Sequence, residues 1–224
     1  METVSHLMTY LLVYYITMYG GKLNNTDLQQ LLKASYNPKD VNGFIVDGKA
    51  SSKTTKVFHN PHTGQTVVAH MGTQGYSDWG NNAIYALGGK SAYKHTHRYK
   101  EAERTQRRAE AKYGTNNLST IGHSQGGLQA EMLGNRGRET ITLNKATRPF
   151  DNKKGSNQTD ISTKGDIVSS LNPFQGNRSR DVVVGSKSYN PLSNHSIESL
   201  DSQDNNITYG QGIRSRLSIY VKRK

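Results

Sequence analysis

Hydrophobic positions along this chain fall into short strand-like runs separated by stretches at helical spacing. Lys56-Val-Phe-His59 and Gln65-Thr-Val-Val-Ala-His70 flank the polar turn Asn60-Pro-His-Thr-Gly64, which predicts a hairpin. The second arm is apolar enough for a central strand. Gly43 to Val46 predicts a short strand, and Asn117 to Ile121, Glu139 to Leu143, Asn157 to Ser162 and Arg180 to Val184 predict further ones. Thr26 to Ala34 predicts a helix, with Thr26 as N-cap, Asp27 in the first turn and Leu28, Leu31 and Leu32 on one face. Ala92 to Tyr113 predicts a long helix. Its inner face would carry His95, Tyr99, Ala102, Gln106, Ala109 and Tyr113, with Arg98 among the basic residues outside. Gly127 to Leu133 predicts a shorter helix. Strands alternating with helices imply an α/β fold, a mostly parallel sheet with helices on both faces.

The ends of the chain read differently. Ser5 to Gly21 carries no formal charge and includes Leu7, Met8, Leu11, Leu12, Val13 and Ile16. Glu2 precedes it with no Lys or Arg, and threonines and tyrosines dilute it. That pattern predicts an N-terminal helix packing on the domain rather than a signal peptide or a membrane span. Residues 1–35 are therefore expected to form an N-terminal helical segment, and 36–224 a minimal single domain. Gly72 to Gly89 is a glycine-rich connection, and the tail alternates like a strand before ending Lys222-Arg223-Lys224.

Composition changes the picture in two ways. Only 33% of the 224 residues are hydrophobic, which predicts a thin core with long polar loops. The net charge of +12 favours polyanions, either nucleic acid or the anionic face of a membrane. The basic residues of 92–113 are interspersed with Glu101, Glu103 and Glu110, the pattern of a solvated helix. No nucleic-acid motif accompanies them, so peripheral contact with an anionic membrane is the expected use of the charge. Nothing calls for an obligate protein partner. The absence of cysteine excludes disulfides, thiol catalysis and cysteine zinc sites, and leaves the compartment open.

The chemistry concentrates at Gly122-His123-Ser124-Gln125-Gly126, a G-x-S-x-G pattern between an expected strand and an expected helix. A serine on so sharp a turn needs a strained backbone, and the flanking glycines remove side chains that would collide there. Its hydroxyl also needs a base, and the base an acid to fix its tautomer. In α/β-hydrolases the chain order is nucleophile, acid, histidine. His195 is the only histidine beyond Ser124, so it is the expected base. Among the intervening aspartates, Asp160 lies inside an expected strand and Asp181 opens one. Asp151 follows a strand only loosely, whereas Asp166 follows one directly after Gly165. Asp166 is the expected acid, with Asp151 second. The backbone N–H groups of Gln125 and of Thr73, in the loop after His70, are the expected oxyanion donors.

These residues resemble the class 3, fungal-type lipases. Gly122-His-Ser-Gln-Gly-Gly127 resembles that family's G-H-S-x-G-G elbow, and Met71-Gly72-Thr73 its short R-G-T oxyanion segment. Ser77-Asp78-Trp79 and Gly165-Asp166-Ile-Val168 resemble its aspartate-tryptophan pair and its acid motif. The resemblance implies an α/β-hydrolase fold and serine-dependent hydrolysis of carboxyl esters of lipid, triacylglycerol lipase or phospholipase A1-like. It implies no metal and no organic cofactor. It also implies a lid near 83–90, with Trp79, Ile84, Tyr85 and Leu87 facing substrate. Gln125 departs from the family's apolar residue after the serine, and Met71 from its common arginine. Two other readings remain at this stage: a non-catalytic polyanion- or nucleic-acid-binding module on the same fold, and an esterase or peptidase with a small substrate.

Overall fold

The hairpin arms form as the alternation predicts and become the start of a larger sheet. The computed structural model describes residues 23–73, 88–137, 139–148, 157–170, 181–186, 188–202 and 208–209. A two-residue strand β1 (Leu23–Asn24) leads into helix α1 (Asn25–Tyr36). Strands β2 (Ile45–Val46), β3 (Thr55–His59) and β4 (Thr66–His70) follow. Helix α2 (His97–Tyr113) leads to β5 (Leu118–His123), and α3 (Gln125–Leu133) to β6 (Glu139–Leu143). Then come β7 (Gln158–Thr163), β8 (Asp181–Val184), the short helix α4 (Pro191–Asn194), a 3₁₀ turn (Ile197–Ser202) and β9 (Thr208–Tyr209).

Strands β2 to β8 form one seven-stranded sheet in chain order. The β2–β3 and β3–β4 pairs are antiparallel, and every pair from β4 to β8 is parallel. The molecule is thus α/β with a mixed, mostly parallel sheet. Strand β1 pairs separately with β9.

Period-two alternation sorts the core into two faces. Ile121, Val67, Ala69, Ile141, Leu143 and Ile161 pack with Leu28, Leu31 and Leu32 of α1. Leu118, Val57 and Val68 pack instead with Ala109 of α2. Helices α2 and α3 meet through Tyr99, Ala102, Leu128 and Met132. His123 alternates with Ile121 and so stands on the α1 side, which matters for the site.

Two local expectations need correction. The N-cap of α1 is Asn24, not Thr26: Asn24 Oδ1 accepts the Asp27 N–H at 2.7 Å. The helix expected over 92–113 breaks at Thr96. Residues 88–93 are helical, and Thr96 then caps α2, its hydroxyl accepting from Tyr99 N–H at 3.2 Å. The restart changes the helical phase. His95, before the restart, is therefore exposed, while Tyr99, Ala102, Gln106 and Ala109 face inward as expected. Arg98, four residues before Ala102, joins them at only 3% exposure. The expected N-terminal helix at 5–21, the connection 74–87 and the basic tail lie outside the described residues.

Candidate active site

The parallel register brings the carboxyl ends of the strands level. His70 lies opposite Gly122, His123 opposite Leu143, Leu143 opposite Ile161, and Thr163 opposite Val184. The loops leaving β4, β5, β7 and β8 therefore emerge along one edge, where open parallel sheets place their sites.

Ser124 sits between β5 and α3 with φ 57° and ψ −125°, a conformation costly for a residue with a side chain. The surroundings hold it there. Its N–H donates to Leu143 O at 3.0 Å, and its carbonyl accepts from Gly127 N–H at 2.9 Å and Ala146 N–H at 3.0 Å. The flanking glycines are required by close approach: a Cβ on Gly122 would stand 2.1 Å from Gly126 O, and one on Gly126 2.1 Å from His70 O. The Ser124 side chain makes no capping bond to α3. Its Oγ lies 2.9 Å from His195 Nε2.

His195 Nδ1 lies 2.9 Å from Asp166 Oδ1. An ionised carboxylate only accepts, so Nδ1 carries the proton and Nε2 offers its lone pair to the Ser124 hydroxyl. That is the tautomer a general base needs. Asp166 is buried in the turn after β7. Burial alone pulls its carboxyl up, but hydrogen bonds from His195 and Ser169 outweigh this and hold it below the usual carboxylate range. Ser169 supplies both its N–H, at 2.9 Å, and its hydroxyl, at 2.5 Å. Asp166 therefore meets His195 as a carboxylate.

Position 195 is fixed from several sides. Its N–H donates to Pro191 O at 3.1 Å within the turn of α4. Buried Asn144, itself at φ 47°, donates from Nδ2 to Asn194 O at 3.0 Å and to Thr163 Oγ1 at 3.1 Å. Asparagine tolerates this left-handed conformation better than most residues. His123 Nε2 lies 2.7 Å from His195 O. A carbonyl cannot donate, so this nitrogen carries the proton and His123 Nδ1 accepts from the Tyr36 hydroxyl at 2.8 Å. Burial, then the neighbouring His195, hold the His123 imidazole down at about 4, so it is neutral near pH 7.

The structure brings Ser124, His195 and Asp166 into one hydrogen-bonded chain. Gln125 is the first residue of α3, so its backbone N–H has no intrahelical acceptor. The segment 71–73 carrying Thr73 passes beside Ser124: a Cβ on Gly72 would stand 2.9 Å from Ser124 Cβ. Asp151 and the substrate or lid candidates Trp79, Ile84, Tyr85 and Leu87 lie outside the described residues. Among the described residues no cluster of His, Asp or Glu has the makings of a metal site. A cleft of about 180 Å³, lined by residues including Tyr99, Glu103, Arg107 and Met132, lies between α2 and α3 and contains no member of the chain.

Sequence reasoning did not anticipate Tyr36, Arg98, Asn144 or the second role of His123. Tyr36 had a legible signal, since it extends the Leu28 and Leu32 stripe by one more step of four. His123 had one too, by alternation with Ile121. Arg98 had a weak one, the step of four to Ala102, outweighed by its charge. Comparison with known proteins adds no relative: no family model, no curated protein and no solved structure matches the chain.

Proposed function

We propose that this protein is a serine hydrolase of the α/β-hydrolase type. Within that class, the reading best supported is a carboxyl-ester hydrolase acting on lipid, as a triacylglycerol lipase or a phospholipase A1-like enzyme. The observation that carries the reaction type is the Asp166–His195–Ser124 chain, at 2.9 Å per link, ending on a serine with φ 57°. Ser124 Oγ attacks the ester carbonyl while His195 Nε2 takes its proton. Asp166 stabilises the imidazolium that forms. The N–H groups of Thr73 and Gln125 receive the developing oxyanion. His195 then protonates the leaving alcohol, and water releases the acyl group by the same steps.

Three features favour lipid as the substrate. The motif residues at 71–73, 122–127 and 165–168 resemble class 3 lipases. Ile167 and Leu192, beside the acid and the base, are 63% and 75% exposed, an apolar rim suited to an interface. The net charge of +12 favours an anionic phospholipid surface.

The test is labelling with a fluorophosphonate probe, followed by a panel of triacylglycerol, phospholipid and short-chain nitrophenyl esters. Labelling is expected at Ser124, and Ser124→Ala is expected to lose it together with about 10³-fold or more of ester hydrolysis. A wild-type protein that resists the probe, cleaves none of the esters and binds DNA in a salt-sensitive way would instead support the polyanion-binding reading.

A further inference from the structure

The segment Met71-Gly72-Thr73, which leaves β4 beside the nucleophile, is gripped from both faces of the sheet. From the α2 side, Arg98 Nη2 donates to Met71 O at 2.5 Å and to Gly72 O at 2.8 Å. From the α1 side, the Tyr36 hydroxyl oxygen accepts the Gly72 N–H at 2.6 Å. The same hydroxyl donates to His123 Nδ1, and His123 Nε2–H donates to the carbonyl of His195. One phenol therefore ties together the loop after β4, the residue before the nucleophile and the backbone of the base.

This grip selects the oxyanion donor. The Gly72 N–H is already committed to Tyr36, so it does not serve. No peptide bond among the described residues is cis, and in a trans peptide the C=O and N–H point opposite ways. Arg98 draws the Gly72 carbonyl toward α2, which turns the Thr73 N–H away from α2. Gly72 itself must stay a glycine for the segment to lie this close: a Cβ there would stand 2.4 Å from Tyr36 Oη and 3.0 Å from His123 O. Placing a guanidinium at 3% exposure is costly, and its bonds to two loop carbonyls offset part of that cost.

We propose that Tyr36 and Arg98 are positioning residues that preset the 71–73 segment as an oxyanion loop in register with His195. The proposal rests on the hydrolase reading above. Neither side chain touches substrate; both act by holding the Thr73 N–H and the His195 backbone in one frame. Preorganised donors lose their effect steeply with misplacement. An error of 1 Å costs about 10²-fold, and loss of one donor about 10² to 10³-fold.

The variants are Tyr36→Phe, Arg98→Met and Arg98→Lys in the full chain. Each is measured for kcat and KM on a nitrophenyl butyrate, for the rate of fluorophosphonate labelling, and for thermal unfolding. Tyr36→Phe is expected to lower kcat by about 10 to 100-fold with KM changed less than about threefold. Labelling should slow in parallel, because phosphonylation develops charge in the same hole. Arg98→Lys should recover part of the loss seen in Arg98→Met, since an ammonium keeps the charge and the donors but sits on a shorter side chain than the Nη2 that bonds both carbonyls. Tyr36→Phe that unfolds earlier yet labels and turns over within about twofold of wild type would overturn the proposal, leaving the hydrolase reading intact. A wild-type chain that is never labelled at Ser124 would remove the hydrolase reading and this proposal with it.

Discussion

Ser124 alone of the three proposed catalytic residues has a positive φ, and its neighbour Gln125 is buried with its amide unpaired among the described residues. Holding a serine at φ 57° costs of order 1–3 kcal/mol, and the bonds to Leu143, Gly127 and Ala146 are what keep the hydroxyl above the sheet. Gln125 is 1% exposed, and its amide nitrogen and oxygen find no hydrogen-bond partner among the described residues. Burying an unpaired amide costs about 1–3 kcal/mol, while an apolar group of similar shape avoids that cost. Gln125→Leu is therefore expected to raise the unfolding free energy by about 1–3 kcal/mol in urea titrations. Nitrophenyl ester hydrolysis should stay within a few fold, because the proposed oxyanion donor at this position is the backbone N–H. A destabilised variant would show that the amide has a partner in the folded chain.

At the scale of elements, α3 is anchored behind Ser124 by buried charge. Lys145, just past β6, bonds Glu131 of α3 and Asp160 of β7, the latter at 2.5 Å. Lys90 reaches the other Glu131 oxygen at 2.5 Å. Gln158 Nε2 donates to both carboxylates, at 2.7 and 2.8 Å, and the Thr142 hydroxyl to Asp160 at 2.7 Å. Lys145, Glu131 and Asp160 are each at most 2% exposed. Removing one partner from such a group leaves an uncompensated charge, at about 3–5 kcal/mol. Lys145→Met should lower the unfolding free energy by that amount, seen as a lower urea midpoint with an unchanged m-value. A loss under 1 kcal/mol would show that water reaches the cluster.

For the whole molecule, the level strand ends gather the loops, and the same sheet buries two neutral imidazoles. His70, at the end of β4, is fully buried, and burial holds it down at about 3; His123 is held at about 4. The unfolded chain takes up protons at both rings from about pH 6.5, the ordinary histidine value. The folded chain refuses them until about 4 and 3. Above pH 7 both rings are neutral in both states and add no slope. Stability is thus lost as pH falls from about 6.5 toward 4, and for His70 on toward 3. Urea midpoints measured between pH 7.5 and 4 should fall along this course. His70→Gln should flatten the slope by about one proton. An unchanged slope would show that the ring at position 70 is protonated when folded.

Local and periodic information is what the chain carried by itself. Its alternation marked the strands and the hairpin, and the leucine stripe of α1 marked a buried face. Glycine spacing around Ser124 marked a turn where two backbones touch. Chain order singled out His195, because only one histidine follows the serine, and strand position put Asp166 ahead of Asp151. Tertiary structure decided what depends on phase and on distant partners. Periodicity placed Tyr99, Ala102, Gln106 and Ala109 inward correctly and failed only for His95, before the restart at Thr96. Arg98 shares the buried stripe of Ala102 and Ala109, but only packing against the loop after β4 gives a charged residue a reason to lie there. Tyr36, Gly72, His123 and His195 meet only because α1 covers one face of a sheet whose strands end level. Hydrogen bonds of this kind join residues far apart in the chain, and their geometry exists only once packing has placed the elements that carry them.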